Sequence, residues 1–185
     1  MSSKEEFDTL WRLGDYRRGS TCQRLIPFLK EVIPVCTLND YGSGTGRAEI
    51  PLLEAGYNVN MVDFSDEALE EDARNLIGDR LTYTIAPLDA LPSSFPHTVW
   101  GICINVLMLV EPRNLDKIME EMRRTCDNLV IEVYDMIDRR LGKDRTTIKG
   151  TSNFWAKEMS KYWPEVEEMK SPEHPRRYIV VGRSD

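Results

Sequence analysis

Seven consecutive residues, Asp40-Tyr41-Gly42-Ser43-Gly44-Thr45-Gly46, constrain this chain more than any other stretch. Glycine at alternate positions lets a backbone turn sharply and come close to a ligand without a Cβ in the way. The stretch falls between two readable elements. Residues 35–41 are short and apolar enough to predict a strand. Residues 47–55 read as a helix closed by Gly56. A strand that turns directly into a helix presents free N–H groups and a partial positive charge at the helix start. That end suits a carboxylate or a phosphate.

The residues around the loop narrow the ligand. A dinucleotide fingerprint wants Gly or Ala where this chain has Arg47, because that helix must pack close to its strand. Asp40 precedes the glycines by two positions. Asp63 ends a second predicted strand, residues 57–64, roughly 20 residues beyond the loop, where an acid meets a ribose in nucleotide folds. A carboxylate there can accept from both ribose hydroxyls.

The rest of the chain supports one frame. Apolar spacing predicts helices over residues 7–12, 21–33, 66–76, 113–125 and 153–162, with Ser65 as the N-cap of the third and Gly78 as its stop. Strands are expected over 81–86, 99–106 and 128–134. The nearly unbroken apolar run of 99–106 marks a central strand covered on both faces. Residues 146–148 are a weaker strand expectation, and 166–169 and 178–181 are expected to close the sheet. Strands alternating with helices make βαβ units and a mostly parallel sheet. Ligands then bind at the carboxyl ends of the strands, near the switch point.

At 185 residues the chain fits one domain. It divides into an N-terminal helical cap (1–34), a ligand-binding core (35–135) and a C-terminal, substrate-side part (136–185). Its net charge is −7, and its arginines come in isolated pairs rather than a basic run. That composition argues against nucleic acid as a partner. Cys22, Cys36, Cys103 and Cys126 form no C-x-x-C pair, and with only two histidines no zinc spacing arises. No metal site is expected. The N-terminus is charged, no stretch of about 20 apolar residues occurs, and the cytoplasm is the expected location.

These motifs together resemble class I S-adenosylmethionine-dependent methyltransferases. Residues 38–47 are similar to the family's first motif, and Met61-Val62-Asp63-Phe64-Ser65 to its acidic second-strand motif. Leu88-Asp89-Ala90-Leu91-Pro92 is similar to the adenine-side motif. Residues 103–112 resemble the fourth-strand segment. Residues 47–75 also look like small phage and bacterial methyltransferases of unassigned substrate, which would put a viral protein in the host cytoplasm. The resemblance implies a Rossmann-like, doubly wound α/β fold with a mostly parallel sheet of seven strands, or a reduced number, and helices on both faces.

It also implies roles. Gly42, Ser43 and Gly44, within the motif that runs from Asp40 and Tyr41 to Gly46, would contact S-adenosylmethionine through the backbone. Asp40 would hold the loop and approach the cofactor amine. Asp63 would take the ribose hydroxyls. Phe64 would pack on the adenine, unless it is simply core. Asp89 would accept from the adenine amino group, unless it serves a turn, with Leu88 and Ala90 beside the ring. Asn105 would lie near the methionine moiety, its amide satisfied by a ligand or by backbone. Arg17 would pair with the methionine carboxylate, or stay solvated.

Methyl transfer needs alignment more than a reacting side chain, so no catalytic residue is assigned. The chain lacks the Asn/Asp-Pro-Pro-aromatic motif of amino-group DNA methyltransferases and the Pro-Cys nucleophile of cytosine C5 enzymes. His97 and His174 read as surface residues, and Trp155 and Trp163 as core. The expected acceptor is a small molecule or a protein side chain, with a monomer and a dimer both open. The competing readings are a cofactor-binding protein without methyl transfer, either a cofactor-degrading enzyme or an interaction module, and a dinucleotide oxidoreductase, which Arg47 disfavours.

Overall fold

The apolar run after Pro96 becomes the strand on which the sheet is centred. The computed structural model describes residues 4–14, 17, 23–135, 146–172 and 176–184. Its strands are β1 (Thr37–Tyr41), β2 (Asn58–Asp63), β3 (Leu81–Ile85), β4 (Thr98–Ile104), β5 (Cys126–Tyr134), β6 (Glu165–Lys170) and β7 (Arg177–Arg183). They form one seven-stranded sheet in the order β3-β2-β1-β4-β5-β7-β6. The first five are mutually parallel, and β7 runs antiparallel between β5 and β6. The chain moves outward from β1 to β3, then returns to place β4 on the other side of β1. The switch point therefore lies between β1 and β4, at the end of the glycine loop.

Side chains alternate between two cores across the sheet. Tyr41, Val62, Cys103, Leu129, Ile131 and Val133 face one side. There they meet α5 (Leu115–Thr125) through Leu115, Ile118, Met119 and Met122, and α6 (Ser152–Met159) through Trp155 and Met159. Leu38, Val59, Met61, Ile102, Ile104 and Val130 face the other. That side carries α2 (Ile26–Val32), α3 (Glu49–Glu54) and Ala73 of α4 (Glu71–Arg74). The doubly wound expectation holds. A third, smaller cluster sits over the carboxyl ends of the strands, where Phe7, Leu10 and Trp11 of α1 (Lys4–Arg12) pack on Ala68 and Phe64.

Three local expectations are corrected. The helix expected over 66–76 shrinks to Glu71–Arg74. Ser65 does not cap it: its N–H donates to Asp63 and its hydroxyl to Asp8. Glu70 holds the N-cap position instead, its N–H donating to the Thr45 carbonyl at 3.0 Å. Residues 146–148 form no strand. The N–H groups of Thr147 and Ile148 both donate to the Met108 carbonyl, which anchors the segment to the loop after β4. The helix expected over 21–33 opens as a 3-10 turn, Gln23–Leu25, before Ile26. Residues 21 and 22 lie outside the described part, as do the turn around Tyr16 and Arg18 and the position of His174.

Candidate functional site

The glycine loop leaves β1 and is immediately pinned to β2. Gly42 N–H donates to the Val62 carbonyl at 2.7 Å and Ser43 N–H to the same oxygen at 3.2 Å. Gly44 N–H donates to Asp63 Oδ2 at 3.0 Å, and Gly46 N–H to the Ser43 carbonyl at 3.3 Å. All three loop glycines have left-handed backbones: Gly42 (φ 81°), Gly44 (φ 57°) and Gly46 (φ 73°). A Cβ on Gly46 would lie 2.5 Å from the Ala73 Cβ, so the loop and α4 close on each other only without a side chain there.

These bonds decide what the loop can hold. An anion nest needs free N–H groups. Those of Gly42, Ser43, Gly44 and Gly46 are all engaged within the protein, so they offer nothing to a pyrophosphate. Arg47 confirms the departure from a dinucleotide turn: its guanidinium donates to Glu70 and to the Arg17 carbonyl.

Asp63 is buried, with Gly44 N–H on Oδ2 and Ser65 N–H on Oδ1 at 2.9 Å. Burial pushes its carboxyl up to about 6, against the pull of those two N–H groups. Each oxygen keeps a lone pair for a further donor. Asp40 is buried below the loop beside Glu49, the first residue of α3. Burial and the neighbouring Glu49 hold Asp40 well above the usual carboxylate range, and burial raises Glu49 too. Two carboxyls confined together oppose each other's ionisation.

A cavity of about 230 Å³ opens above these residues. It is far larger than the ~30 Å³ share of one water. Gly42, Gly44, Asp63, Phe64, Leu88, Asp89 and Asn105, all expected from sequence, line it together. Asp40, Tyr41, Ser43, Gly46, Ala90 and Arg17 are not among its lining residues. The Tyr41 ring turns into the core, where its hydroxyl meets Thr125 Oγ1 at 2.7 Å. Ala90 is exposed on a turn closed by its N–H to the Pro87 carbonyl. The Arg17 guanidinium donates to the carbonyls of Trp11, Glu67 and Ala68.

A helical cap was expected over residues 1–34, but not which of its residues roof the cavity. Phe7 and Trp11 of α1 line it opposite Asp63, and the Phe7 ring meets Phe64 edge-on at 5.2 Å. Their spacing with Leu10 was a readable apolar stripe, but nothing in it names the surface it covers. Val106, Leu109, Val110, Glu111 and Ile118 complete the wall. Among the described residues its charged lining is Asp63, Asp89 and Glu111, all acids. Trp155 and Trp163 are core, and His97 sits half-exposed beside Asp127 at the far end of the sheet. Among the described residues no group of three His, Cys, Asp or Glu side chains could hold a metal ion. Among the described residues no helix is long and apolar enough to cross a membrane.

Comparison with known proteins agrees with this geometry. Residues 39–128 match the family model described as "Methyltransferase domain". No curated protein matches the sequence. Among solved structures, an N-methyltransferase of Burkholderia thailandensis that acts on 1,6-didemethyltoxoflavin, with bound S-adenosylhomocysteine, superposes with a TM-score of 0.75 at 16% identity, covering 98% of this chain and 87% of that one. Magnesium protoporphyrin IX methyltransferase of Synechocystis PCC 6803 gives 0.67 at 17% identity, over 88% and 83%. A small RNA methyltransferase gives 0.70 at 18% identity, over 88% of this chain and 25% of its own. At these identities the likeness is one of fold.

Proposed function

We propose that this chain, whose residues 39–128 match the methyltransferase-domain family, is an S-adenosylmethionine-dependent methyltransferase that carries the methyl group to a small molecule or a protein side chain. The observation that supports the cofactor most directly is the character of the cavity. Among the described residues its charged lining is acidic, and the N–H groups of Gly42, Ser43, Gly44 and Gly46 in the loop beneath it are engaged within the protein. A cofactor that bears a sulfonium and an ammonium fits such a wall, and a pyrophosphate does not.

When bound, the cofactor supplies a methyl group already activated by its sulfonium. The protein's residues bind, orient and exclude water. Asp63 takes the ribose hydroxyls on the two lone pairs that Gly44 and Ser65 leave open. Phe64 and Leu88 flank the adenine, and Asp89 accepts from its amino group. Asp40, with Glu49, holds the loop from below. Phe7 and Trp11 close the cavity from above, which strengthens every polar contact inside it. We read residues 1–34 as a cap on this core and 136–185 as the part that shapes the acceptor side. The net charge of −7 supports an acceptor other than nucleic acid, and the buried free thiols of Cys103 and Cys126 suit the cytoplasm.

The test is transfer of a labelled methyl group from S-adenosylmethionine into fractionated cell extract. Label in the small-molecule or protein fraction is expected. Label confined to a nuclease-sensitive fraction contradicts the acceptor class, and no transfer to any fraction contradicts the activity.

A further inference from the structure

Asn105 carries two unusual features at one point of the cavity wall. Among the described residues it is the one non-glycine residue with a left-handed backbone, φ 59°. Its side-chain Oδ1 is buried without a hydrogen-bond partner. A strained backbone and an orphaned buried oxygen are both unfavourable, and proteins keep such features chiefly where a ligand uses them.

One residue maintains both. Glu132 of β5 accepts the Asn105 backbone N–H on its own carbonyl at 2.8 Å. Its carboxylate Oε2 accepts from Asn105 Nδ2 at 3.0 Å. Only the nitrogen of an amide can donate to a carboxylate, so this contact removes the freedom to flip and leaves Oδ1 as the atom available to a ligand. Glu132 is fully buried, and is itself held by Ser171 Oγ on Oε1 at 2.6 Å and by the Arg177 guanidinium on Oε2 at 3.3 Å. Ser171 follows β6 and Arg177 opens β7, so the two antiparallel strands brace the residue of β5 that holds Asn105.

The strand order says which part of a ligand arrives there. Leu88 and Asp89 lie beyond β3, Asp63 ends β2, the glycine loop ends β1, and Asn105 follows β4. A nucleoside with its base at Asp89 and its ribose at Asp63 extends its remaining arm over β1 toward Asn105. On this cofactor that arm is an amino acid, and its hydrogen-bond donor is the α-ammonium. We propose that Glu132 is a positioning residue, fixing the Asn105 amide so that Oδ1 accepts from the α-ammonium of the cofactor. The proposal rests on the cofactor reading above.

The test uses two ligands that differ only at that arm. S-adenosylhomocysteine carries the amino acid, whereas 5′-methylthioadenosine keeps the adenosine and the thioether without it. Calorimetric affinities are measured for the wild type, Asn105→Gly, Glu132→Gln, Asn105→Asp and the double variant Asn105→Asp/Glu132→Gln. Asn105→Gly suits the left-handed backbone and reads the role of Oδ1 even where a Glu132 variant fails to fold. Each single variant is expected to weaken S-adenosylhomocysteine about tenfold or more, as loss of a hydrogen bond to a charged group does. 5′-Methylthioadenosine should stay within about twofold. Asn105→Asp sets two carboxylates against each other. The double variant exchanges donor and acceptor, and should recover most of the lost affinity. Equal losses on both ligands, or undiminished affinity for S-adenosylhomocysteine in Asn105→Gly, would overturn the proposal. A wild type that binds neither ligand overturns the cofactor reading and this one with it.

Discussion

Asp63 shows how one buried carboxylate can hold two backbone N–H groups and still keep lone pairs for a further donor. Its folded pKa of about 6 lies above the ordinary 3.8 because burial disfavours the charge. The sign follows directly. The stability this group contributes to the free protein is full in acid and is lost as pH rises through about 6. A ribose donating two hydrogen bonds favours the ionised form and works the other way. Affinity for S-adenosylhomocysteine is therefore expected to rise as pH rises through 6 and to level off above 7, falling by about tenfold per unit on the acid side. Calorimetry from pH 5 to 8 measures this. Asp63→Ala should abolish binding while the chain stays folded; a flat pH profile, or binding retained in that variant, would contradict the ribose role.

Asp63 was legible because it ends a predictable strand, where strands meet ligands, whereas Asp89 and Asn105 were legible only through motifs that resemble those of the methyltransferase family. Glu49 and Glu132 were not. An acid in the first turn of a helix reads as a partner of the helix dipole, and an acid inside an apolar strand carries no sign of its contacts. Only the register of β5 against β4 brings Glu132 beside Ile104, and so beside Asn105.

At the scale of elements, α1 and the turn after β2 act together. Phe7 and Trp11 form the roof, and three tethers hold it. The Ser65 hydroxyl donates to Asp8, the Phe7 ring rests on Phe64, and the Arg17 guanidinium ties the Trp11 carbonyl at the end of α1 to the carbonyls of Glu67 and Ala68. Ser65 also donates its N–H to Asp63, so the Asp63 carboxylate and the roof share one residue. A cap needs an accepting oxygen aimed at the helix start, and the Ser65 hydroxyl is turned to Asp8, so the helix expected from Ser65 onward begins only after Glu70.

Ser65→Ala removes one tether without touching the cavity. Loss of a hydrogen bond of about 1 kcal/mol should speed dissociation of S-adenosylhomocysteine by about five- to tenfold, with association little changed. Stopped-flow fluorescence of Trp11 reads both rates. An unchanged dissociation rate would separate the tether from the site.

At the scale of the molecule, the parallel half of the sheet was written plainly in the alternation of apolar strands and helices. Its order follows from right-handed crossovers and the switch at the glycine loop. The C-terminal part was less legible. β6, with the sequence Glu-Val-Glu-Glu-Met-Lys, has exposed charge on most positions because it is an edge strand, and that composition weakens its strand signal. Trp155 and Trp163 are fully buried under β7, where Gly182 leaves room for Met159 and Trp163. Such packing is set by tertiary contacts that no local pattern reports.

The central claim is the identity of the cofactor, and thermal denaturation tests it most directly. At about 100 times its dissociation constant, a ligand of the native state adds ~2.7 kcal/mol, or about 5–10 °C for a chain of this size. S-adenosylmethionine and S-adenosylhomocysteine should each raise the Tm by that amount while NAD leaves it unchanged. A rise with NAD, and none with the other two, would contradict the account.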